Sequence, residues 1–295
     1  MRCFLLLLAA AAAGCSTPFE VELPPEDPLV VIKSLFAADS LITVDLSRSE
    51  PLLRPAPGGF GDITDATVTL FEDGVEAGQA VYVRDRLRYV SDVRARAGRT
   101  YRVRVEAPGL PPAEAEDTVP LPRPFAAEVA RGPEPTGGRD RLDDVTVRFR
   151  DPAGPDYYAL YGLVERRLPD RPQPFQVFPL TFRSADPALA DGNLEALVSD
   201  VDEPFYLRAF FSDRPFDGGP VEILLRVRRR EDGPEFAVEN IDRLRLAVLS
   251  PTYYRYQRAR AQGGTPFDDV VRVPSNVEGG YGVFAAFAAS EQVLP

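Results

Sequence analysis

From Leu29 onward the chain alternates apolar and polar residues over short stretches, and a period of two is the mark of strands buried on one face. The segments "LVVIKSLF", "SLITVDLSRS", "ATVTLFEDG", "QAVYVRDRLRYV" and "TYRVRVEAPG" follow one another in this way, separated by Gly, Pro and Asp. Such strands must bury a common face, so the spacing predicts an antiparallel β-sandwich of immunoglobulin-like or transthyretin-like size over residues 29–121. "EDGVEAG" supplies the turn chemistry of a hairpin. Residues 122–140 are rich in Pro and Gly with little apolar periodicity, and read as a linker. Residues 141–295 resume the strand pattern in "DDVTVRFR", "FQVFPLTFR", "FYLRAFFSD", "VEILLRVRRR" and "LRLAVLS", and read as a second β-sandwich domain. One helix is expected there, in "SPTYYRYQRARAQGG". Ser250 can cap it, Pro251 suits its first position, Arg258 and Arg260 sit in its last turn, and Gly263 can end it. "YGVFAAFAAS" closes the chain as a strand.

The start of the chain follows another rule. Residues Phe4 to Gly14 are apolar or small behind a single charge at Arg2, and the run stops at Cys15. It is too short to span a bilayer, which needs about 20 apolar residues. A charged start, a short apolar core and small residues before a cut describe a secretory signal peptide, residues 1–14. The tail "AAGC" resembles a bacterial lipobox, which makes Cys15 the lipidated residue of the mature chain. Ser16 stands where Asp would hold a lipoprotein in the inner membrane, so the outer membrane is favoured, with its exposed side left open. Residues 15–28, polar, acidic and broken by prolines, read as a tether; a first edge strand through "FEVEL" is compatible with that.

Composition narrows the chemistry. The chain has no His, and its other cysteine, Cys3, leaves with the signal peptide. A Ser-His-Asp triad, a Cys-His pair and a His-ligated metal centre are therefore excluded. Lys33 is the single lysine and sits within a strand. Carboxylate chemistry remains, of the kind a glycosidase pair performs. A net charge of −11 argues against nucleic acid, whose phosphates demand a basic footprint. No cofactor is expected, because "GYGVFA" (Gly280, Gly282, Ala285) fits a dinucleotide pattern but lacks the leading strand and following βαβ unit; its glycines read as a tight turn.

Three further groups are candidate sites. Asp186, Asp191, Asp200, Asp202 and Glu203 offer oxygen ligands for calcium, but their spacing matches no EF-hand loop, so a solvated acidic loop is expected and no metal is assigned. Tyr157, Tyr158, Tyr253, Tyr254 and Tyr256 form two clusters that can stack on a sugar or a partner; with no Trp in the chain, packing of the helix on a sheet is the favoured alternative. Between Val81 and Val105 stand eight Arg against two Asp. Arg84, Arg86 and Arg88, and separately Arg102 and Arg104, alternate as on one face of a strand. Pairing with acids of neighbouring strands is the expected arrangement; an unpaired face is suited to lipid phosphates or an acidic partner.

In order along the chain, "LVVIKSLFAADSLITVDLSRSEP", "ITDATVTLFEDG", "GRTYRVRVEAPGL", "FRDPAGPDYYAL", "FSDRPFDGG", "LSPTYYRYQRA" and "VPSNVEGGYGVFAAF" resemble the pattern of domain-of-unknown-function family 4249, outer-membrane lipoproteins of Bacteroidota. The resemblance implies an outer-membrane lipoprotein that accompanies a TonB-dependent transporter, and no activity follows from it; with most catalytic residue sets excluded by composition, a non-catalytic binding or accessory module is expected. Arg84, Arg86, Arg88, Arg102, Arg104, Tyr253, Tyr254 and Tyr256 are then the candidate contact residues. A carboxylate-pair hydrolase and a ligand-binding surface lipoprotein are the competing expectations.

Overall fold

A computed structural model describes residues 27–49, 61–133, 140–168, 171, 173–189, 193–196, 206–230, 238–262 and 273–295. Cys15, the signal peptide, nearly all of the tether, Gly263 and four calcium candidates (Asp191, Asp200, Asp202, Glu203) lie outside these residues. The protein is mainly β. Its strands are β1 (Val30–Ala37), β2 (Leu41–Arg48), β3 (Thr67–Glu72), β4 (Val75–Val83), β5 (Arg88–Arg94), β6 (Thr100–Glu106), β7 (Ala113–Thr118), β8 (Phe125–Ala130), β9 (Asp140–Asp151), β10 (Tyr157–Arg167), β11 (Gln176–Arg183), β12 (Asn193–Ala196), β13 (Tyr206–Ser212), β14 (Gly219–Arg230), β15 (Glu239–Leu249), β16 (Val277–Glu278) and β17 (Gly280–Val293). All belong to one connected, open sheet, with a single α-helix among the described residues, α1 (Pro251–Gln262).

The period of two decides what each strand buries. In β1, Val30, Ile32 and Phe36 point inward with Ser34, while Lys33 is exposed. Ile42, Val44 and Leu46 of β2, Val68 and Leu70 of β3, and Tyr101, Val103 and Val105 of β6 meet them in a first core. Each such side chain contributes about 1.5–3 kcal/mol by leaving water. Asp73 and Gly74 take positive φ between β3 and β4, the two-residue hairpin turn that "EDG" promised. A second core lies between β9 and β14 on one side, through Val147, Phe149, Ile223 and Leu225, and β10 and β15 on the other, through Leu160, Leu244 and Leu246. The opposite faces of β10, β13 and β15 present Ala159, Phe210, Ala247 and Leu249, and Tyr253 and Tyr254 of α1 cover them.

β17 ties these regions together. It runs parallel to β1 from Val30↔Gly280 to Ala37↔Phe287, then antiparallel to β15 from Leu249↔Phe287 to Arg243↔Val293. Its glycines answer the dinucleotide question: a Cβ on Gly282, which has φ 115°, would stand 1.9 Å from the Ile32 carbonyl oxygen. The backbones approach too closely there for any side chain. Asn276 fastens the strand sideways, its amide donating to the carbonyls of Glu116 (3.0 Å) and Phe284 (2.8 Å) and accepting the Phe284 N–H (3.0 Å). Asp117 of β7 accepts the Ala286 N–H at 2.8 Å, and its carboxyl also bonds the Thr118 backbone and the side chain of Ser250, the cap of α1.

The stretch expected to be a linker contains a strand. β8 pairs with β9 from Phe125↔Phe149 to Ala130↔Asp144, with Phe125 buried in the second core. Phe125, Ala127 and Val129 do alternate, but the Pro-rich flanks on both sides obscured so short a run.

Candidate functional site

The arginine alternation misleads at one position. Arg84, Asp85 and Arg86 form a single 3-10 turn after β4, and Leu87 takes a left-handed φ of 51°, so the chain reverses where a continuous strand was expected. Arg84, Arg86 and Arg88 therefore share no strand face. Arg88 opens β5 and pairs with Asp45 at 3.2 Å. Arg84 and Arg86 are exposed at the hairpin tip beside Leu87, which is 65% exposed, and neither has an ion-pair partner among the described residues. Arg102 and Arg104 behave as expected: Arg102 meets Glu114 at 3.0 Å, and Arg104 meets Glu106 at 2.7 Å and Glu114 at 3.5 Å.

The tyrosines are brought together as packing. Ser250 accepts the Tyr253 N–H on its hydroxyl (3.1 Å) and the Tyr254 N–H on its carbonyl (3.0 Å), so α1 starts where the cap and Pro251 said it would. Tyr254 then stacks on Tyr157 of β10 with ring centres 4.4 Å apart, and Tyr253 meets Phe287 edge-on at 5.4 Å. Tyr158, on the other face of β10, is fully buried in the second core and donates to Asp151. Tyr256 is half-buried, with the Arg260 guanidinium 5.9 Å above its ring.

Asp186, the one described calcium candidate, has both oxygens engaged. They accept the N–H groups of Ala188 and Leu224, each at 2.9 Å. A different carboxylate group does converge: one oxygen each of Asp151, Asp213 and Asp217 lie within 4.8 Å of one another. Asp151 accepts the Gly218 N–H (2.8 Å), Asp213 the Asp156 N–H (2.6 Å) and Asp217 the Gly154 N–H (2.9 Å). These bonds staple the β9–β10 loop to the β13–β14 loop. Burial, then the charges of Asp151, Asp217 and Asp156, push the Asp213 carboxyl above its ordinary value. "FRDPAGPDYYAL" and "FSDRPFDGG" contain all four aspartates, but their meeting depends on the β10·β13 register, which sets Tyr157 opposite Ser212.

The stapled loops and α1 enclose a cavity of about 340 Å³. Tyr157 and Tyr254 form one wall, Ser212 and Asp213 another, and Arg214, Arg255 and Arg258 surround it. Burial raises the Tyr254 phenol above its ordinary value, while Arg258, which hydrogen-bonds it, and the nearby Arg214 act in the other direction. Arg255 donates to the Pro251 carbonyl at 3.1 Å. A second cavity, of about 450 Å³, opens at the far ends of β9, β14 and β15. Its charges satisfy one another: Arg141 grips Asp143 through bonds of 2.6 and 2.9 Å, and Arg229 meets Asp242 at 2.6 Å. The smaller cavity is the better candidate, because Arg214 has no carboxylate partner among the described residues.

No curated protein matches the chain. The family described as a domain of unknown function, DUF4249, matches residues 16–293, a range that contains every described strand and α1, and the chain belongs to that family.

Proposed function

We propose that this protein is an outer-membrane lipoprotein, anchored through Cys15, that serves as a non-catalytic binding or accessory module beside a TonB-dependent transporter of a Bacteroidota cell. Its first two cores are read as two sandwich domains of immunoglobulin-like or transthyretin-like size sharing β17. The signal-peptide pattern supports the anchor. No helix among the described residues is long and apolar enough to cross a membrane.

One geometric relation carries the accessory reading. β1 begins at Val30 opposite Arg48, and the Asp45–Arg88 pair holds the start of β5 at that same end of the sheet. The β4–β5 tip, with Arg84, Arg86 and the exposed Val81 and Leu87, therefore projects at the end where the chain enters from the anchor. A bulky residue in a left-handed conformation on an exposed tip is strained, and such strain concentrates at contact sites. Tethering to the transporter's own membrane raises the effective concentration, so a modest contact is sufficient. The backbone-engaged carboxylates of Asp151, Asp213 and Asp217 favour binding over a hydrolase pair.

The test is a pull-down of the native lipoprotein from gently solubilised outer membranes. A transporter is expected with the unaltered chain and is expected to be lost, in a salt-dependent way, with Arg84→Ser, Arg86→Ser and Leu87→Ser combined. Recovery of no transporter from the unaltered chain, or of a stoichiometric glycan or peptide in its place, overturns the reading.

A further inference from the structure

We propose that the cavity between α1 and the β13–β14 loop is a receptor for a small ligand carrying an oxyanion, carboxylate or phosphate, beside a hydrogen-bond donor. This goes beyond the accessory reading and holds whether or not the chain is membrane-anchored.

The argument starts from how this protein uses arginine. Among the described residues arginines are commonly spent on carboxylates: Arg96 on Glu72 at 2.7 Å, Arg148 on Glu222 at 2.6 Å, Arg245 on Glu291 at 2.7 Å. The chain has 45 acidic residues against 34 basic ones, so an arginine without such a partner goes against the composition. Among the described residues Arg214 lacks one, as Arg84 and Arg86 at the β4–β5 tip do, but unlike them it lines a cavity together with other arginines. It arrives from the β13–β14 loop while Arg255 and Arg258 arrive from α1, and Arg214 and Arg258 both act on the Tyr254 phenol. Guanidinium forks around a phenol O–H make the donor set that an oxyanion accepts from, and the planar fork matches carboxylate or phosphate two bonds at a time.

The rest of the lining narrows the ligand. Asp213 is 4% exposed and has one oxygen on the Asp156 N–H, and its carboxyl supplies an acceptor beside the Ser212 hydroxyl. The ligand therefore brings a donor next to its anionic group, as an amino acid or a hydroxylated phosphate ester does. The stacked Tyr157–Tyr254 pair gives a flat wall for its carbon skeleton. At about 340 Å³ the space falls within the range of small-molecule sites. The 40 Å³ cavity beside Ala159 and Tyr161 holds no more than a water or two, and the larger cavity has its charges paired internally. The walls are pre-set as well: α1 is capped by Ser250, and three carboxylate–backbone bonds fix the two loops, so little ordering is left for binding to bring about.

The experiment is calorimetric titration of the purified full chain with inorganic phosphate, glycine, ethylamine and short-chain phosphatidylglycerol. Phosphate or glycine is expected to bind and ethylamine is not. Binding of the phospholipid in preference to both identifies a lipid headgroup as the source of the oxyanion, and binding of phosphate or glycine alone identifies a free ligand. Arg214→Ser is expected to weaken binding by about tenfold or more, the scale of a lost charge-assisted bond. Arg214→Lys, which keeps the charge and loses the fork, falls between. Arg214 is exposed, so an unchanged melting temperature separates these losses from unfolding. No heat with any of the four probes at millimolar concentration, or binding unchanged in Arg214→Ser and Arg255→Ser, overturns the proposal.

Discussion

The two ends of the second core each bury aspartates, and they satisfy them by opposite means. At the β9/β14/β15 end, Asp143 and Asp242 are neutralised by Arg141 and Arg229. At the loop end, Asp151, Asp213 and Asp217 crowd together and are held by backbone N–H groups, a Tyr hydroxyl and no arginine of their own among the described ion pairs. Backbone donors satisfy hydrogen bonds without cancelling charge. The first end is closed in on itself electrically; the second retains its repulsion and leaves Arg214 to face the cavity. The contrast separates charges that hold the fold from charges that remain available.

The strongest test removes one partner at the closed end. Asp143→Ala leaves Arg141 and Arg229 buried without their shared carboxylate and is expected to destabilise the protein by about 3–5 kcal/mol in urea unfolding. Burial alone would raise Asp143; Arg141, the Gly132 N–H and Arg229 outweigh it and hold the carboxyl below its usual value. Its stabilisation is thus present above the ordinary carboxylate range and is lost as pH falls through the depressed folded value. A loss under 1 kcal/mol at neutral pH would remove the distinction between the two ends.

An intermediate case is Asp117, where burial, only partly offset by Ser250 and the Ala286 N–H, pushes the carboxyl up to about 6. A raised acid costs stability once ionised, so this group's contribution falls as pH rises from about 4 to about 6. Asp117→Asn keeps an acceptor for Ala286 and no charge. It should remove that slope and add at most about 3 kcal/mol at pH 7.5; an unchanged slope between pH 4.5 and 7.5 would place its cause elsewhere.

The smallest effect is expected at the open end, with its sign reversed from Asp143. Asp213→Asn retains an oxygen for the Asp156 N–H and relieves the repulsion from Asp151, Asp217 and Asp156. The melting temperature at neutral pH should rise slightly and converge with that of the unaltered protein in acid, where Asp213 is protonated in both states. A fall would mean that the aspartates are stabilised as anions and that the comparison is drawn wrongly.

What the residues disclosed in advance depended on how local the determinant was. α1 was readable because its cap, Pro251 and the arginines of its last turn lie within one short segment, and the Asp73–Gly74 turn because its dipeptide specifies it. The β4–β5 turn was not, since Arg84, Arg86 and Arg88 imitate a strand period through a segment that reverses at Leu87. The cavity escaped for another reason: Tyr157, Arg214 and Arg258 become neighbours only through the β10·β13 register and the descent of α1 onto that sheet. Its legible trace was the presence of paired aspartates in two Gly/Pro-rich loops.

The placement of β17 bears on how such a chain is made. β1 pairs with β2 on one edge, but the strand on its other edge follows every other described strand, so the pairing of Val30 with Gly280 awaits translation of all the strands between them. Contacts between segments so distant form late and slowly. Until then β1 has an unpaired backbone edge, which is a template for pairing with other chains. The first core to be translated is thus among the last to close, and a chain interrupted before Gly280 is left with that edge exposed to its neighbours.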